Sequence, residues 1–68
     1  MRLVVSVLDL AIGQSNDYEV DTFQEMANTM VSMAKDITEG VVTVYDDDLL
    51  DGSLIIRLEV RDGNLVEE

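Results

Sequence analysis

Only one stretch of this chain has helical periodicity, and it lies between two β-rich stretches; no other feature limits the fold as much. Phe23, Met26, Ala27, Met30, Val31, Met33, Ala34 and Ile37 recur at spacings of three and four, which lines one side of a helix with apolar groups. Thr22-x-x-Glu25 reads as a capping box, with Asp21-x-x-Gln24 as an alternative start one residue earlier. Either start places acid where the helix dipole favours it. Gly40 is the natural left-handed stop. About 17 residues at ~1.5 Å each make a helix of roughly 25 Å, long enough to cross one face of a small sheet.

Upstream, Arg2 to Ile12 is rich in β-branched residues and leucine, with Leu3, Val5 and Val7 on one face and Val4, Leu8, Leu10 and Ile12 on the other. Apolarity on both faces predicts a strand covered on both sides, by the helix and by a second subunit. Gly13 to Glu19 brings Gly, Ser, Asn and Asp in quick succession and reads as a loop. Downstream, Val41–Tyr45 is a short β-rich run, and Leu54, Ile56, Leu58 and Val60 alternate with Ile55, Arg57, Glu59 and Arg61. That period of two predicts an antiparallel partner for the run before it, joined through a loop over residues 46–53. The Asp62-Gly63 pair then offers a turn that folds a brief fourth strand back.

The expected architecture is a single α+β domain over residues 1–68, of β-α-β-β type. Its three-stranded sheet has order 1-3-2, with an optional short fourth strand, and the one helix packs on one face, like half of a ferredoxin-like fold. A chain of this length buries only about 60% of the surface its unfolded form exposes, so its core needs reinforcement. The sequence contains no Cys and no His, which removes disulfides and imidazole or thiolate metal sites together. Self-association, or docking on a partner, is the remaining means. The order 1-3-2 makes the apolar first strand an edge, and pairing two copies along it predicts a homodimer with Val4, Leu8, Leu10 and Ile12 at the interface.

The same absences narrow the chemistry. Ser6, Ser15, Ser32 and Ser53 have no imidazole to activate them. Lys35 reads as a solvated charge pairing with Glu39 at i+4. There is no nucleophile elbow, phosphate-cradling loop or metalloprotease helix. The Met26, Met30 and Met33 stripe reads as core, with Met33 off-centre. The sequence therefore points away from an enzyme, and no cofactor is expected. Asp46, Asp47, Asp48 and Asp51 invite a calcium reading, but counting an EF-hand loop from Asp46 puts Leu50 at the fifth position and Arg57 at the twelfth. A solvated turn is the preferred reading, and no metal is expected.

Nine Asp and six Glu stand against one Lys and three Arg, for a net charge of −11. Nucleic acid and anionic membranes repel such a surface, and basic proteins attract it. The apolar N-terminal run contains Asp9, is far shorter than the ~20 residues of a membrane-spanning helix, and lacks a signal-peptide cleavage pattern. A soluble, cytoplasmic protein is expected. The acids concentrate as Asp17, Glu19, Asp21 and Glu25 around the helix start, as Asp46, Asp47, Asp48 and Asp51 in the hairpin loop, and as Asp62, Glu67 and Glu68 at the end; the first two groups form the candidate surface. In the expected topology both groups fall at one end of the sheet. Carboxylates there can occupy the positions of phosphates on a basic groove, as small acidic anti-restriction and anti-CRISPR inhibitors of phages and mobile elements do; the likeness is of charge and size only. The leading expectation is an acidic inhibitor that binds a basic, nucleic-acid-handling protein. A homo-oligomeric assembly module and a halophile's housekeeping domain, its acidity environmental, are the alternatives.

Overall fold

The structure, a computed structural model, describes residues 2–47 and 54–67. It is α+β, with one helix on one face of an antiparallel sheet. Strands β1 (Leu3–Asp9) and β2 (Gln14–Val20) precede helix α1 (Phe23–Ala34); β3 (Glu39–Asp46), β4 (Leu54–Arg61) and β5 (Asn64–Val66) follow it. The strand order is β2-β1-β3-β4-β5, so the sheet has five strands rather than three or four, and β1 is interior.

The stretch expected to be a loop is β2, which pairs antiparallel with β1 from Leu3 opposite Val20 to Asp9 opposite Gln14. This one strand corrects the expected topology. Since β2 returns the chain to the end where β1 began, the helix carries it across again and β3 descends antiparallel to β1, with Leu3 opposite Asp46 and Asp9 opposite Gly40. The parallel pair spanned by the helix is thus β2 and β3, with β1 inserted between them. β1 is hydrogen-bonded along both sides and has no free edge, so the expected edge-to-edge pairing through it has no place in this sheet.

Alternation sorts the sheet residues onto two faces. Leu3, Val5 and Val7 of β1, Val20 of β2, Val42 and Val44 of β3 and Val60 of β4 turn toward the helix and are buried. Met26, Met30, Ala34 and Ile37 close this layer from above, with Tyr18, Met33, Ile56, Leu58 and Leu65 packed around it. Two methionines of the stripe are core, and Met33 lies at its margin. Phe23 shares their arc but occupies the first helical position and stays 57% exposed.

The helix begins as its capping residues predict, with Thr22 Oγ1 accepting from the Glu25 backbone N–H at 3.1 Å. It ends at Ala34, well before Gly40. Ile37 and Thr38, β-branched and poor helix formers, lie beyond that end, and Ile37 folds back into the core. Gly40 lies inside β3. A Cβ on Gly40 would stand 2.3 Å from the Leu8 carbonyl oxygen, so its role is close approach rather than helix termination. Lys35 caps the helix, and the register that would have paired it with Glu39 does not exist.

β4 joins β3 as its alternation predicts, with Val42 opposite Leu58 and Val44 opposite Ile56. A bulge follows, pairing Tyr45 with Leu54 and leaving Ile55 without an opposite residue. The extra residue turns Leu54 out of the inward series, and it is 54% exposed. The Asp62-Gly63 turn has φ of 51° and 80° at its two residues, the hand that two-residue hairpins favour. Asp62 N–H donates to Thr38 O at 2.8 Å and Gly63 N–H to Ile37 O at 2.9 Å, docking the turn on the chain that leaves the helix.

Candidate protein-binding surface

With the core settled, the charge has an address. β1 and β4 run toward one end of the sheet and β2 and β3 toward the other. The second end therefore receives Glu19 from the close of β2, Asp21 and Glu25 from the helix start, and Asp46 and Asp47 from the close of β3. The two acidic groups share an end because β2 and β3 run parallel on either side of the helix; the crossover the sequence suggested starts from β2 rather than from β1. Asp48 and Asp51 lie outside the described residues.

These carboxylates are not equivalent. Asp17 and Glu19 project from the helix-free face, opposite Ser6 and Val4. Asp47 continues that face, and the Arg2 guanidinium bridges the two strands: Nε lies 3.2 Å from Asp47 Oδ2, and Nη2 donates to Glu19 Oε1. Arg2 is half exposed, so each link is worth about 0–1 kcal/mol. It gathers the acids more than it neutralises them. Glu25 instead stands on the helix side, where a groove of about 460 Å³ opens between β2 and α1. Tyr18, Val20 and Met33 give this groove apolar walls, and Glu25 and Asn28 give it a polar lip. The sequence reading did not single out Arg2 or Tyr18; the alternation of Tyr18 and Val20 with Asp17 and Glu19 is the signal that identifies β2 and its groove.

The expected dimer residues separate. Val4 and Leu8 are half-buried on the helix-free face of an interior strand, beside Val41, Thr43 and Tyr45. Leu10 and Ile12 lie in the β1–β2 turn, 49% and 67% exposed. At the far end a smaller pocket of about 160 Å³ is lined by residues including Leu10, Glu39 and Arg61. Arg61 Nη2 lies 2.8 Å from Glu59 Oε2 on the neighbouring surface.

Among the described residues, no group of three or more carboxylates is arranged to hold a metal ion, and no helix is long and apolar enough to cross a membrane. Comparison with protein-family models, curated proteins and solved structures finds no match.

Proposed function

We propose that this chain is a small acidic protein-binding inhibitor, a nucleic-acid mimic that occupies a basic nucleic-acid-binding surface of a partner protein. One observation carries the reading: Asp17, Glu19, Asp21, Glu25, Asp46 and Asp47 follow one edge and one end of a rigid sheet, with Arg2 tied among them. Fixed carboxylates draw the Lys and Arg side chains that otherwise hold phosphates, and the long-range field of a −11 chain speeds the encounter. Inhibitors of restriction and CRISPR systems made by phages and mobile elements have this charge and size, and that is the setting proposed. The proposal involves no catalytic step and no cofactor, and it places the protein in the cytoplasm with its target.

The test is affinity capture from a host lysate with DNA or RNA added as competitor. Basic nucleic-acid-handling proteins should be recovered, and their recovery should fall as competitor or salt rises. Recovery of none, or recovery indifferent to competing nucleic acid, would refute the proposal.

A second reading has its own support. Among the described residues no element covers the helix-free face of the sheet, which carries Val4, Leu8, Val41 and Tyr45, and a homo-oligomer would cover it sheet to sheet.

A further inference from the structure

β2 is an edge strand of seven residues, and its backbone polarity follows from the hydrogen bonds of β1. Leu10 N–H donates to Glu39 O at 2.9 Å and Asp47 N–H to Arg2 O at 3.0 Å. Even-numbered residues of β1 therefore turn their backbone groups toward β3. Since direction alternates along a strand, Leu3, Val5, Val7 and Asp9 turn theirs toward β2, where they face Val20, Tyr18, Asn16 and Gln14. Ser15, Asp17 and Glu19 then direct their N–H and C=O groups out of the sheet. None of them is proline, so each offers both a donor and an acceptor.

An open edge invites strand addition, and the side chains beside this one say what can be added. A second copy is a poor occupant. Antiparallel pairing of β2 with itself about Asp17 sets Asp17 against Asp17 and Ser15 against Glu19, and like charges directly opposed destabilise a ladder. A basic strand meets the reverse situation. On the helix-free face its cations lie over Asp17 and Glu19. On the other face its alternate side chains enter the groove against Tyr18, Val20 and Met33, with Glu25 at the lip; the aliphatic stems of Lys or Arg also suit such a site.

We infer that the β2 edge takes up an extended, basic segment of a partner protein by strand addition, its side chains alternating between the Asp17 and Glu19 carboxylates and the β2–α1 groove. The inference rests on the proposed binding of basic proteins and adds the place and geometry of contact.

The probe is a synthetic peptide of about seven residues alternating Arg and Val, which matches the length of the edge. Followed by amide hydrogen exchange in NMR, its binding should slow Ser15, Asp17 and Glu19 by roughly tenfold or more, and leave Asn16 and Tyr18, already bonded to β1, nearly unchanged. N-methylation of the peptide amides that face β2 should weaken binding about tenfold; methylation of the other set should not. No binding, protection confined to Val4, Leu8 and Val41, or indifference to the methylation pattern would overturn the inference. The double variant Asp17→Lys, Glu19→Lys separates the two proposals. If it still captures the same proteins from a lysate, strand addition is wrong and the inhibitor reading stands; if the unmodified chain captures none, the inhibitor reading itself fails.

Discussion

At Gly40 the sheet has no room for a side chain. A Cβ there would stand 2.3 Å from the Leu8 carbonyl oxygen and 2.9 Å from the Ile37 side chain. The first of these is backbone, near the end of the β1–β3 ladder, and cannot rotate away as a side chain can. Gly40→Ala is expected to cost about 3 kcal/mol by forcing β1 and β3 apart, the upper part of the range for overpacking, read as a lower midpoint in urea unfolding. An unchanged midpoint would mean that β1 and β3 do not approach as described. Thr22→Ala gives a scale for comparison. It removes only the cap on the Glu25 N–H and should cost about 1 kcal/mol.

At the scale of elements, β1 is tested by neighbours in sequence that point to opposite faces. Val5 is fully buried under the helix, whereas Ser6 is half-buried on the uncovered face. Val5→Asp should abolish folding, because an unpaired carboxylate cannot be held in that core. Ser6→Asp should leave a folded protein with normal far-UV circular dichroism. The reverse outcome would require a register slipped by one residue. Elements with strong local patterns were legible in sequence: the capped start of α1, the alternation of β4 from Ile56 onward and the Asp-Gly hairpin all stand where their residues indicate. β2 was not. Gly13, Ser15, Asn16 and Asp17 are turn-forming residues, and only Tyr18 and Val20 carry the apolar side of the alternation, because an edge strand covered by one end of a helix needs few buried groups. The misread end of α1 has a related cause. Glycine reads alike at a helix stop and at a close backbone approach, and only the packing against Leu8 distinguishes them. The acidic residues of the candidate surface were legible as a group, but their division between Asp17 and Glu19 on one face and Glu25 on the other depends on β2.

For the whole molecule, the question is what 15 acidic and 4 basic residues do to one another in a body of 32 × 21 × 21 Å. At about 0.01 M salt the Debye length is ~30 Å, so carboxylates on opposite sides repel; at about 0.15 M it is ~8 Å, well under the molecular width, and only near neighbours still interact. The melting temperature should therefore rise between these two concentrations and change little with further sodium chloride up to ~1 M. A chain whose acidity is an adaptation to a saline interior would behave differently, folding only as salt approaches the molar range. The same series examines the uncovered sheet face. Repulsion between two −11 bodies opposes pairing at low salt, so an assembly held by Val4, Leu8, Val41 and Tyr45 should appear in sedimentation equilibrium as salt is raised. Binding to a basic partner weakens over the same range, because salt screens the attraction that drives it. Self-association that grows with salt and partner capture that falls with it assign the apolar face and the acidic edge to separate tasks; a monomer at every salt concentration would leave the protein's interactions to the acidic edge alone.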